Sequence, residues 1–397
     1  MKLNRFVACT VFPLGLASPG LAGAQGVSVT DYKNATSAYE EAYVNGQLNM
    51  SKNRGDAQSA YDLNLGLQYD RVFSSPDRDL RIQALADGTV SRASTAGARS
   101  NDSYTYGAGV TSDTYFTPGS AGAFWYGGLN VQGSSAFDSH QIAGTVGVGY
   151  GRVTNVTPMA RAIRIIEELT MRGRMTGSPA LGVYQRVAEV VDRESEFRSR
   201  YGARDYEQYW VQAIADALKA GGTMAPNFDA ADVLKIYQIV TRERISTRKV
   251  GWKVRAGVGY VFRTFDGRSD SDPALEVVGE YYYPLSNRTQ FNEIATFNTI
   301  LNNNDNSYTL RNVMSLTHEV SDRIDWENAW TYNYERNGPT KTNSTVNALS
   351  TAFIYSLTNS LDATATYTVA KYGGDQTLAN PNGSDQSLFL GIRYRLR

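Results

Sequence analysis

The residues that could carry chemistry are few. The chain has two histidines, His140 and His318, and one cysteine, Cys9. It contains no His-Glu-x-x-His, no Cys-x-x-Cys, no haem-attachment pair and no Walker-type loop. The sequence therefore points to no metal, no cofactor and no thiol chemistry. Asp138-Ser139-His140 invites a hydrolase reading. The three are consecutive, however, and on a strand Asp138 and His140 share one face while Ser139 points to the other. A polar rim at a strand end is the plainer reading, and no catalytic residue is assigned. His318 shares parity with Leu310, Met314 and Leu316 and reads as an interfacial histidine. Gly144, Gly147, Gly149 and Gly151 imitate a phosphate loop, but within an alternating strand glycine relieves crowding.

The larger inventory is charge. Lys253, Arg255, Arg263, Glu276, Glu280, Arg311, Asp325, Glu327, Arg393 and Arg395 fall on the polar parity of alternating segments. Asp62, Asp70, Asp79, Arg81, Asp87 and Glu319 join them. If these faces line a lumen, two arrangements are open. One is an interior network of paired charges that fills it. The other is a polar channel whose opposed charges orient a solute. Neither sign dominates, which argues against a strong anion or cation filter.

Positioning such a set requires strands, and the composition agrees. Among 397 residues there are 26 Tyr and 36 Gly but only 11 Pro, with 39 basic and 39 acidic side chains. Zero net charge argues against a nucleic-acid binder relying on a basic surface. Mean hydropathy is −0.38, and after the N-terminus no apolar run approaches the ~20 residues of a spanning helix. Period-two alternation is clear in several places. Tyr61, Leu63, Leu65, Leu67 and Tyr69 alternate with Asp62, Asn64, Gly66, Gln68 and Asp70. The same pattern marks 252–263, 324–335, 361–369 and 388–397.

In all, the pattern predicts about fourteen strands, within a range of 12–16. They fall near 39–51, 60–73, 79–93, 102–115, 122–136, 140–153, 250–265, 273–285, 289–302, 307–319, 323–335, 344–357, 361–373 and 386–396. Most exceed the usual strand of soluble sheets and suit a membrane barrel. Short connections at 74–77, 285–288, 322–323 and 358–360 take turns with longer polar ones at 52–59, 94–101, 266–272, 336–343 and 374–385. A barrel with tight turns on one side of the membrane and long loops on the other has this rhythm.

With these features the chain resembles a Gram-negative outer-membrane β-barrel over residues 25–155 and 249–397. The resemblance implies a mainly β fold, a transmembrane antiparallel barrel embedded in outer-membrane lipid. Residues 1–24 read as an export signal. Lys2 and Arg5 precede the apolar stretch 6–17, and Ala22-Gly23-Ala24 supplies the small residues for cleavage after Ala24. Cys9 lies within it, so the exported chain carries no cysteine and no disulfide.

Between 156 and 248 helical spacing replaces alternation. Thr157-Pro158 reads as N-cap and N1 of a first helix, Ser178-Pro179 opens a second, a third covers about 204–219, and Asp229 caps a fourth. Four amphipathic helices can bury a small shared core. This insert holds 14 basic and 12 acidic residues, so it has no polybasic patch. If the N-terminus is periplasmic, six strands return the chain to the periplasm, and the insert is expected there, hanging below the barrel in place of one turn. The expected function is non-enzymatic: a channel, export or uptake component for a polar solute or a secreted chain. The alternatives are a structural or assembly barrel whose insert docks a periplasmic protein partner, and an outer-membrane hydrolase.

Overall fold

A computed structural model describes residues 26–396, except 53, 264–272, 302–305 and 376–383, with Arg263 described in its backbone alone. The expected export signal, 1–24, the whole loop at 266–272 and most of the loop at 374–385 lie outside the described residues.

Fourteen strands form one closed antiparallel barrel: β1 Ser37–Ser51, β2 Ala60–Ser74, β3 Arg78–Arg92, β4 Asn101–Tyr115, β5 Ala123–Ser134, β6 Gln141–Asn155, β7 Lys249–Arg263, β8 Pro273–Ser286, β9 Thr289–Ile300, β10 Tyr308–Ser321, β11 Ile324–Asn337, β12 Thr342–Ser356, β13 Leu361–Gly374 and β14 Ser384–Arg395. Each strand pairs with its neighbours in sequence, and β14 returns to β1. Alternation explains the sidedness. Leu65 and Leu67 on β2, Val146 and Val148 on β6, and Leu388, Leu390 and Ile392 on β14 all point out and are exposed. Asp79, Asp113, Lys253, Glu280, Asp325 and Asp362 take the opposite parity and are buried. An apolar belt outside and a polar interior is the transmembrane form of a closed barrel, which leaves no backbone edge to lipid.

Two local features of the wall bear on what the barrel holds. On β6 and β7, Gly147, Gly149 and Gly257 form a bed for two inward rings. A Cβ on Gly149 would lie 2.3 Å from the Phe124 ring, and one on Gly257 would lie 2.3 Å from the Tyr126 hydroxyl. Those glycines make room for aromatic side chains, not for phosphate. The second feature is the closing seam. β1 is in register with β14 only over Tyr43–Gly46, facing Arg395–Ile392. Along β1–β2 the register runs without a break from Ser37↔Ser74 to Ser51↔Ala60.

Asn155 at the end of β6 stands opposite Lys249 at the start of β7. The chain leaves the sheet between these two and forms α1 Thr157–Met171, α2 Leu181–Asp192, α3 Glu194–Ala220 and α4 Ala230–Thr241. Pro158 sits in the first turn of α1, as expected, but the side chain that accepts the Thr157 amide is that of Asn155, at 3.0 Å. The second helix starts at Leu181, after Ser178-Pro179, without a side-chain cap. The third predicted helix is the latter part of α3, which bends at Gly202, φ 79° and ψ 159°. Helical backbone cannot pass through that conformation, so the segment before it is a separate short helix. Asp229 caps α4 as expected, in a reciprocal box with Asp232.

The helices share one core. Ile163, Ile166 and Leu169 of α1, Val187 and Val191 of α2, Trp210 and Ile214 of α3, and Ile236 and Ile239 of α4 meet there. Trp210 is fully buried, and its indole N–H donates to the Val190 carbonyl at 2.8 Å. Val29 and Tyr32, ahead of β1, complete this core. The first residues of the described chain therefore belong with the helical domain, not with the barrel wall. The domain lies at the short-turn end. Arg164 on α1 reaches Asp322 in the β10–β11 turn at 2.7 Å, and Asn287 in the β8–β9 turn accepts from the Val29 amide at 3.3 Å.

Candidate functional site at the closed mouth of the barrel

The lumen near the short-turn end is crossed by ionic ties that follow from strand register. Lys253 of β7 faces Glu280 of β8 across the ladder, and Arg255 follows two residues on with the same parity. Arg255 donates to Glu280 at 2.6 Å, and Lys253 reaches over to Asp113 of β4 at 2.6 Å. Asp113 also stands 3.6 Å from Arg255. Nearby, Arg81 makes two hydrogen bonds to Asp70, at 3.0 and 2.9 Å, and the Tyr39 hydroxyl donates to the same carboxylate at 3.0 Å. Lys249 closes the chain by donating to Tyr39 at 2.8 Å. Fork-shaped arginine pairs of this kind hold fixed geometry as well as charge.

The helical domain adds a second tier, and here the structure differs from a domain hanging free. Three arginines run from it to the barrel wall. Arg244, just beyond α4, bonds Asp325 at 3.0 Å, Asp362 at 2.8 Å and Glu327 at 3.5 Å. Arg164 bonds Glu319 at 3.0 Å, and Arg248 bonds the same carboxylate at 2.6 Å. The backbone amide of Ser246 donates to Glu319 as well, at 3.0 Å. Thr247 donates to Glu41 of β1 at 2.6 Å. The segment 243–248 is thus laid across the mouth and fastened to β1, β10, β11 and β13. The reason is electrostatic: acids on the inward parity at one end of the barrel need cations, and the insert supplies them.

Among the sequence-predicted lumen residues, Lys253, Arg255 and Glu280 meet in the first tier. Glu276 shares parity with Glu280, two same-face positions along β8. Asp325 and Glu327 are joined by Arg244, and Arg393 and Arg395 line a cavity beneath the mouth. Arg311 stands apart, exposed on the outer half of β10. The Arg263 side chain lies outside the described residues. Sequence reasoning passed over Arg161, Arg164, Arg244, Arg248, Asp113 and Asp362. The first four sit in a segment of balanced charge and read as solvated helix faces. The one available signal was the pair Arg244 and Arg248, placed between a helix and a strand with acids on the opposing strands.

The cavity has a volume of about 1120 Å³ and lies between the inner wall of β1 and β14 and the helices α1, α2 and α3. Arg161 of α1 and Arg198 of α3 face it together with Arg393 and Arg395. Arg198 is engaged by Glu194 at 3.0 Å and by the Tyr206 hydroxyl at 2.7 Å. Asp192 at the end of α2 accepts from the Tyr32 hydroxyl at 3.0 Å, and burial pushes its carboxyl up to about 7. Elsewhere His140 lies at the loop end, its Nδ1 2.9 Å from the Tyr106 hydroxyl, and His318 at the short-turn rim pairs with Thr289 at 2.8 Å. Among the described residues no group of three or more His, Cys, Asp or Glu is arranged to hold a metal ion.

A family described as "Protein of unknown function, DUF481" matches residues 241–357, which span the Arg244–Arg248 segment and strands β7 to β12. No curated protein matches the sequence. Among solved structures, the β domain of the Bordetella autotransporter BrkA is 9% identical, with 91% of this chain and 99% of that one covered and a TM-score of 0.30. The Vibrio cholerae outer membrane protein OmpT, with loop L8 deleted, is 9% identical over 91% of this chain and 100% of that one, at a TM-score of 0.33. The anion-selective porin from Comamonas acidovorans is 8% identical over 90% and 100%, at 0.32. The assignment of a transmembrane barrel rests on this chain's own geometry.

Proposed function

We propose that the chain is an outer-membrane conduit for polar solutes whose periplasmic mouth is closed by the inserted helical domain. The observation that carries this reading is Arg244. It leaves the helical domain and bonds carboxylates on β11 and β13 at once. A purely decorative domain would need no such fastening, and a permanently filled barrel would need no cavity beneath it. Parity supports the periplasmic side, because the insert shares its end with the short turns, which face the periplasm in outer-membrane barrels. The lumen's mixed charge suits a polar solute rather than a simple ion filter.

The test is single-channel recording in planar bilayers. The intact protein is expected to be mostly closed, and Arg244→Gln to open more often, because the Asp325 and Asp362 contacts weaken. Replacing 156–248 by a two-residue turn should give a constantly open pore. If the turn variant inserts as a folded barrel and still passes no current, the conduit reading fails. A second reading is a barrel that displays the helices to a partner protein. The Tyr201 and Tyr209 rings stack 4.1 Å apart on α3 with Tyr209 exposed, an aromatic patch suited to docking.

A further inference from the structure

We infer that the cavity beneath the mouth is a binding site for a small free solute carrying two or more negative charges, held by Arg161, Arg393 and Arg395. The inference rests on the conduit reading only in naming what the conduit carries.

The three arginines come from two elements that meet only because the insert folds back on the barrel. Arg161 lies on α1, and Arg393 and Arg395 lie on β14. All three line the same cavity of about 1120 Å³. Among the described residues none has a carboxylate within ion-pair distance. Arg393 donates to the Asn45 amide oxygen at 3.2 Å and lies over the Tyr43 ring. Arg395 donates to the Asn359 carbonyl. The Arg161 Nε is sealed from water and has no hydrogen-bond partner. Neutral acceptors orient two of these guanidiniums without neutralising them.

The carboxylates in the same wall are committed elsewhere. Glu194 is held by Arg198, Glu327 by Arg244, Glu243 by Arg164 and Glu40 by Arg71, while Glu41, Asp192 and Glu207 accept from Thr247, Tyr32 and Tyr237. Burial and the nearby charge of Arg395 together hold Arg161 below the ordinary arginine range, although the charges of Glu194, Glu41 and Asp192 work the other way. Like charges gathered with no carboxylate in ion-pair contact are costly, and an anion that bridges them removes the repulsion. Planar guanidiniums favour phosphate or carboxylate groups over halide, since each can donate a pair of parallel hydrogen bonds. The volume admits a ligand well beyond a single ion.

Isothermal titration calorimetry on the folded full chain in detergent tests this, with pyrophosphate in one arm and citrate in the other. One-site binding is expected in at least one arm and should weaken as salt rises. Pyrophosphate alone assigns a phosphorylated solute, citrate alone a polycarboxylate. Arg161→Gln and Arg393→Gln should each weaken binding tenfold or more, whereas Arg311→Gln, outside the cavity, should not. Heat-modifiable mobility in gels confirms that each variant keeps its barrel, and the two arginines lie on different elements, so one misfolded variant leaves the other to decide. No saturable heat in either arm, or binding indifferent to both arginine changes, overturns the site. Current without binding sinks the site and spares the conduit. Binding without current in any variant does the reverse.

Discussion

Arg248 and Glu319 form a buried ion pair at 2.6 Å, with the arginine fully enclosed and the glutamate side chain 3% exposed. One stands where the insert rejoins β7, and the other closes the inner face of β10. The pair therefore joins the last residue of the helical insert to a wall strand three places round the barrel. Glu319 keeps Arg164 when Arg248 is removed, so the loss is that of one charge-assisted hydrogen bond, about 1.5–3 kcal/mol. Arg248→Met should destabilise the folded protein by that order in urea unfolding monitored by gel mobility. Arg248→Met combined with Glu319→Gln should recover part of the loss. Additive losses in the double variant would show that the two side chains act independently.

The membrane-facing parity makes a separate prediction. Leu65 is 50% exposed on the outer face of β2, whereas Gln68, on the other parity, lines the cavity. Leu65→Arg should cost about 2–4 kcal/mol near the hydrocarbon midplane, and Gln68→Arg far less. Folding yields in vesicles of the two variants measure the difference. Equal yields would reverse inside and outside.

The contrast between those two predictions shows what a sequence makes legible. Leu65 and Gln68 are readable because period two separates them whatever the partners are, and the fourteen strands follow from that rule. Asp229 and Asp232 were readable in the same way, since a capping box is local. Arg244 was not. Its three partners lie 81 to 118 residues away on different strands, and nothing local distinguishes it from a solvated arginine. The same holds for Val29 and Tyr32, whose place in the helical core depends on where the barrel ends bring the chain.

Asp192 predicts a pH dependence. Burial raises its carboxyl to about 7 in the folded chain, against about 3.9 when unfolded. Between these values the folded state holds the proton and the unfolded state has released it. The contribution to stability is therefore complete below the unfolded value and is lost as pH rises through about 7. Asp192→Asn should flatten the fall in stability of the helical domain between about pH 4 and pH 7. Circular dichroism melts across that range measure it. An unchanged slope would mean that the carboxyl titrates normally.

The closing seam predicts where the barrel loosens first. Gln47–Ser51 of β1 have no register partner on β14, although β2 pairs with them throughout. In an antiparallel strand alternate residues point their amides to each neighbour, so about half the amides there lack a second-strand acceptor. Deuterium uptake in nanodiscs should be faster over 47–51 than over 60–64, the stretch of β2 opposite them. Equal protection would show that the seam zips up beyond Gly46 in lipid.

The insert itself can be removed, and register says how. Asn155 and Lys249 face each other at the end of the β6–β7 ladder, so an Asn-Gly turn in place of 156–248 can close a hairpin there. The barrel strands keep every ladder partner. What they lose is the cation supply: Glu319 loses Arg164 and Arg248, while Asp325 and Asp362 lose Arg244. Those carboxylates then face one another around an opened mouth, where water relieves part of the cost of leaving them unpaired. The turn variant should therefore assemble as a heat-modifiable barrel with a lower unfolding midpoint than the intact protein. Adding Glu319→Gln and Asp325→Asn to it should raise that midpoint, whereas the same two changes in the intact protein should lower it by stranding the arginines. Opposite signs in the two backgrounds would establish that the domain is fastened by charge. The same sign in both would assign its attachment to the apolar packing around Val29, Tyr32 and α1 instead.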